Sequence, residues 1–142
     1  MLRCLLGLLN LEVNLKEILT ARGGLKEIMG DVLRVLYLFS GTLWLPELIT
    51  ELTGFKRTLG EEADIPKRKK VEDAVNLLNM TGLVSVRPGI RATASSKGEK
   101  TFLISLVRKD EVLAHLSSDE KVRKYHQAWR DALQSMKNIR CT

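Results

Sequence analysis

Four consecutive cations, Lys67, Arg68, Lys69 and Lys70, stand directly before an apolar stripe made of Val71, Ala74, Val75 and Leu78. The stripe falls at i, i+3, i+4 and i+7, one face of an α-helix. Cations at a helix start meet the positive end of its dipole, each unfavourable by a few tenths of a kcal/mol to about 1. A run of four there points to a polyanion as the partner. Further on, Arg87 and Arg91 flank the turn-forming pair Pro88-Gly89, and Lys97 follows in the stretch TASSKG. Such cations neutralise phosphates and gain affinity by releasing counterions. On the helix face opposite the stripe lie Lys69, Glu72, Asp73 and Asn76. Of these, Asn76 and Lys69 have the chemistry to meet base edges, whereas the two carboxylates meet phosphates and acceptor-rich edges unfavourably and accept from cytosine amino groups. The candidate DNA contacts are thus Lys67, Arg68, Lys69, Lys70, Asn76, Arg87, Arg91 and Lys97.

The balance of the whole chain has the same sign. Its 142 residues carry a formal charge of +6, which favours an acidic partner such as nucleic acid. No catalytic site can be assembled, so an enzyme is not expected. His115 and His126 are the only histidines and lack ligand spacing, and Gly23-Gly24 and Gly98 lack the context of a phosphate loop. No metal site, cofactor or small-molecule effector constellation is evident. Cys4 and Cys141, at opposite ends, are expected to be free thiols in a reducing cytoplasm. The leucine-rich start is broken by Asn10 and Glu12, too early for a span of about 20 apolar residues. The expectation is a soluble, cytoplasmic protein without a membrane segment.

The elements that position these residues follow from periodicity. Leu2, Leu5, Leu6 and Leu9 make one helical stripe. After Arg22-Gly23-Gly24, the spacing of Leu25, Ile28, Met29, Val32, Val35, Leu36 and Phe39 predicts a helix. A short apolar Leu43-Trp44-Leu45 comes next, then a helix opened by Pro46 and closed at Thr53-Gly54. The polar stretch Phe55–Asp64 reads as a loop. The basic helix is expected over Pro66–Met80, with Asp64 as its cap. Leu83–Arg87 and Ile90–Ala94 then form a small hairpin turning at Pro88-Gly89. For the segment after it a helix from Glu99, capped by Ser96, is favoured over a strand across Thr101–Val107. Ser117-Ser118-Asp119-Glu120 caps a last helix, whose Val122, Tyr125, Trp129, Ala132, Met136 and Ile139 are spaced 3, 4, 3, 4 and 3. Such a seam packs on the domain's own core or pairs with a second chain.

Helix, short strand, helix, loop, basic helix and hairpin, in that order, resemble a winged helix-turn-helix domain. The stretch VEDAVNLLNMTGLVSVRPG is similar to the recognition helix and wing start of PadR-type and MarR-type transcription regulators, and TASSKG to the Thr-x-x-Gly that follows the wing there. The resemblance implies that Pro46–Leu52 is the supporting helix, Pro66–Met80 the recognition helix and Arg87–Arg91 the wing. It further implies that the flanking helices join two copies, making Val122, Tyr125, Trp129 and Met136 the candidate dimer interface. The fold expected is mainly α with a small β-hairpin wing (α+β). It divides into an N-terminal helical extension (1–24), a winged helix-turn-helix domain (25–100) and C-terminal helices (101–142). The expected function is a transcription regulator that binds double-stranded DNA as a homodimer. An alternative is a winged-helix protein-interaction module in a transcription or replication assembly, favoured by Glu61, Glu62 and Asp64 in the loop and by Glu72 and Asp73.

Overall fold

The computed structural model describes residues 15–140. Cys4, Cys141 and the leucine stripe from Leu2 to Leu9 lie outside the described residues. A short helical segment at 15–20 leads into α1 (Gly24–Leu38), β1 (Thr42–Trp44), α2 (Leu45–Thr58) and a 3-10 turn (Glu62–Asp64). Then come α3 (Arg68–Met80), β2 (Val84–Arg91), β3 (Glu99–Leu106), α4 (Asp110–Ser117) and α5 (Glu120–Arg140). The chain is mainly helical with one small antiparallel sheet of strand order β1-β3-β2.

The core forms around α1, whose residues Met29 to Leu36 are all buried. Leu48, Leu52 and Phe55 of α2 pack on it from one side, and Val71, Ala74, Val75 and Leu78 of α3 from another. Ile104 and Leu106 of the central strand close the third side. Leu15 and Ile18 are buried in this same core, so the described part of the N-terminal segment belongs to the domain rather than extending from it.

Four local expectations are corrected. First, α2 does not stop at Thr53-Gly54 but runs to Thr58, because Phe55 and Lys56 are both drawn inside. Second, α3 begins at Arg68 rather than Pro66, and Asp64 sits in the 3-10 turn instead of capping it. Lys67 holds the cap position and makes no side-chain cap bond. Third, Pro88-Gly89 is not a turn. Both lie within β2, opposite Phe102 and Thr101 of β3. A proline is tolerated there because β2 is an edge strand, where a missing donor leaves no partner unpaired. The turn falls at residues 92–98 and closes on Gly98, whose φ of +67° suits glycine. Fourth, Glu99–Leu106 is a strand rather than a helix, so the boundary expected between 100 and 101 cuts an element in two. The short β1 finds its partner here, Thr42 opposite Ser105 and Trp44 opposite Leu103.

The cap of the last helix is realised by Asp119, which accepts the Val122 N–H at 3.1 Å. No helix among the described residues is long and apolar enough to cross a membrane.

Candidate nucleic-acid interface

The α3 start gathers its cations in one turn. Lys67, Arg68, Lys69 and Lys70 are all exposed, while Val71 behind them is buried. Arg68 Nε donates to Glu72 Oε1 at 3.1 Å, an i,i+4 pair on the surface. Among the described residues, no carboxylate lies within ion-pair distance of Lys67, Lys69 or Lys70. Asn76 is exposed two turns further along the same helix. With Glu72 it borders a groove of about 280 Å³ whose far wall is Val86 and Phe102 of the sheet.

Two cations of the β2–β3 hairpin, Arg87 and Arg91, lie on the other side of the sheet. Side chains alternate along a strand, so Val86 faces α3 while Arg87, in register with Leu103 and thus on the same face as Trp44 across β3, faces away. The Trp44 ring covers Gly89 so closely that a Cβ there would come within 2.9 Å of it, so any larger residue must displace the ring. Arg91 is on this same outer face and is already engaged. Its Nε donates to Glu47 Oε1 at 3.0 Å and its Nη1 to Glu99 Oε2 at 3.2 Å. The bond to Glu47, ahead of the opposing partial desolvation, raises the Arg91 pKa further. Arg91 therefore ties the β2–β3 hairpin to the start of α2, whereas Arg87 and Lys97 are exposed and without an ion pair among the described residues. The sequence placed both arginines at a hairpin tip; the tip holds Lys97 alone of the three.

Most other clustered charges of the body are satisfied internally, in a network that sequence reasoning missed. Asp31 and Lys56 are buried and paired. Arg34, also buried, donates to Asp31 at 2.8 Å and grips both oxygens of Asp119 at 2.7 and 3.1 Å. Lys121 Nζ lies 3.2 Å from each of Glu27, Asp31 and Glu61. Burial opposes the Arg34 and Lys56 charges, but Asp119 and Asp31 outweigh it and raise both pKa values. Burial likewise opposes the Glu27 carboxylate, which the Gly23 N–H, Lys121 and Lys56 nevertheless hold below its ordinary range. The signal available in the sequence was two opposite charges three apart, Asp31 and Arg34, inside an otherwise apolar run. Glu61 consequently faces inward, which removes part of the acidic surface assigned to Phe55–Asp64.

The seam of α5 divides in two. Val122 is buried, and the Tyr125 ring sits 5.5 Å from that of Phe55 and 6.4 Å from that of Phe39. Val122 is buried inside the chain itself, which corrects its assignment to a dimer interface, whereas Tyr125 packs against the core and stays partly exposed. Beyond them, Trp129, Leu133 and Met136 are 50%, 53% and 57% exposed. Leu133 lay off the expected seam and joins it on the exposed side. His126 is exposed, edge-on to Tyr125.

Comparison with protein-family models, with curated proteins and with solved structures found no match to this chain.

Proposed function

We propose that the protein is a winged-helix DNA-binding regulator that grips duplex DNA through the start of α3 and the wing and acts as a homodimer through the outer half of α5. The observation that carries this reading is the run of four exposed cations at the start of α3. Arg34, Lys56 and Lys121 are neutralised within the body, whereas Lys67, Lys69, Lys70, Arg87 and Lys97 are exposed and lack carboxylate partners among the described residues. Cations left unpaired against a helix dipole have no structural use in the free chain, and phosphates supply the missing charge. The element order and the sheet order β1-β3-β2 support the winged-helix reading. Within it, Arg91 shapes the wing rather than contacting DNA, and Asn76 is the base-edge contact.

The test is the salt dependence of binding to a random-sequence duplex, followed by fluorescence anisotropy. Replacing Lys67, Arg68, Lys69 and Lys70 together by Ala should weaken every duplex and reduce the slope of log K against log salt. Each lost phosphate contact is worth about 0.9 of slope, and Arg68 is shared with Glu72, so the expected reduction is roughly 3. An unchanged slope rules out the α3 start as the DNA contact.

A further inference from the structure

The inner face of the wing carries apolar side chains that the core does not use. Ile90 is 64% exposed and Phe102 is 48% exposed. Phe102 stands directly opposite Pro88 in the strand register, so its ring rests on a fixed sheet instead of a loop. It is shared by two adjoining hollows. One is the 280 Å³ groove against α3, bordered by Asn76 and Glu72; the other includes Ile90 and Lys100. A groove of this size is below the roughly 300–1,000 Å³ of sites for drug-sized ligands and suits a single ring system.

We infer that this groove receives a nucleobase that is out of the duplex stack, so that the preferred DNA carries an unpaired end or junction. The inference rests on the DNA-binding reading above and names its substrate class more narrowly. In an intact duplex both faces of each base are covered by neighbours, and a half-exposed aromatic ring meets only edges and sugars. An unpaired base offers a free π-face to Phe102, and such stacking is tolerant of sequence. Its edge meets groups of matching chemistry: the Asn76 amide both donates and accepts, and the Glu72 carboxylate accepts from an exocyclic amino group. Charge selects a nucleic acid strand over an apolar peptide, because Lys100 lines the adjoining hollow and Lys69 lies seven residues, two helical turns, before Asn76 on the same face of α3. The strand backbone that carries the base is an anion matched to both.

The experiment compares, at one salt concentration, a blunt duplex with the same duplex extended by a short single strand of adenines and cytosines. Stacking of a single base corresponds to a gain of roughly 5- to 150-fold in affinity. With 2-aminopurine at the first unpaired position, its emission should fall on binding. Phe102→Ala should bring the extended DNA down to the blunt affinity while leaving blunt binding and its salt slope unchanged. Phe102→Trp should keep the preference, and melting curves verify that both variants are folded. Equal affinity for the two DNAs with a normal salt slope overturns this inference and leaves duplex binding standing. So does a preference that survives Phe102→Ala. Loss of self-association in Phe102→Ala assigns the groove to a second copy of the chain, which also overturns it. A wild type that binds neither DNA brings down both readings.

Discussion

Asp31→Asn is expected to destabilise the fold severely, although the change replaces one atom. Asp31 is fully buried and is the carboxylate shared by Arg34, Lys56 and Lys121. Removing one partner of a buried ion pair typically costs about 3–5 kcal/mol, because the remaining charge is left uncompensated. Here Asp119 still holds Arg34, and Glu27 and Glu61 still face Lys56 and Lys121. The loss therefore belongs at the lower end, about 3 kcal/mol. With a urea m-value of about 2 kcal/mol/M, the midpoint should fall by roughly 1.5 M. Tm should fall by roughly 10 °C for a domain of this size. Urea unfolding followed by circular dichroism reads both the midpoint and the slope. A loss below about 1 kcal/mol at an unchanged slope would refute the assignment of Asp31 as the hub of the cluster. Arg68→Ala, which removes an exposed pair, is the matched control and should change stability by less than about 1 kcal/mol.

Three further outcomes are expected. Glu27 titrates below its ordinary value of 4.5, so its contribution is present above that pH and is lost as pH falls through the folded value; Lys56 titrates above 10.5, so its contribution is present below that pH and is lost as pH rises further. Unfolding midpoints measured against pH should therefore decline at both extremes, with the acid decline flattened in Glu27→Gln. Light scattering should give a mass near twice the 16.0 kDa chain for the wild type and a single chain for Trp129→Asp, whose half-exposed site leaves the monomer fold intact; a monomeric wild type at high micromolar concentration removes the dimer from the proposal. Gly98→Ala should weaken the β2–β3 hairpin by about 1–2 kcal/mol, since φ is positive there and the new Cβ would lie 2.9 Å from the Arg91 carbonyl oxygen; unaltered hydrogen exchange in β2 would contradict this.

What was legible in the sequence was whatever a local window contains. α1, α3 and the start of α5 follow from apolar spacing alone, and the buried stripe of α3 is the one read from Val71, Ala74, Val75 and Leu78. β3 was not legible because Phe102, Leu103, Leu106 and Val107 also fit a helical face, and the strands that decide the matter lie elsewhere in the chain. Thr42, its partner, is 63 residues from Ser105. Pro88-Gly89 carries turn chemistry that an edge strand also accepts, so only the pairing with Phe102 and Thr101 distinguishes the two. At Gly54 a local stop signal lost to the burial of Phe55 and Lys56. Of the candidate site, the α3 cluster was readable because its residues are adjacent. Arg91 was not, since the partner that withdraws it, Glu47, is 44 positions away.

The ion cluster also sets an angle. Asp119 and Lys121 stand at the root of α5 and are held by α1 and by Glu61 beyond the end of α2, whereas residues 129–137 of the same helix are exposed on all sides. From Asp119 to Met136 the helix is a beam about 25 Å long, clamped at one end. A tilt of about 5° at the clamp displaces the far end by roughly 2 Å over that length. In the proposed dimer the far end is where two copies meet, so the tilt fixes how far apart the two α3 helices stand. In that proposed dimer on DNA, the cluster would act as a protractor for the spacing of the two DNA contacts, at a distance from any base. Variants such as Lys121→Met that keep the fold should shift the preferred spacing between half-sites while leaving the contacts within each half-site as they were.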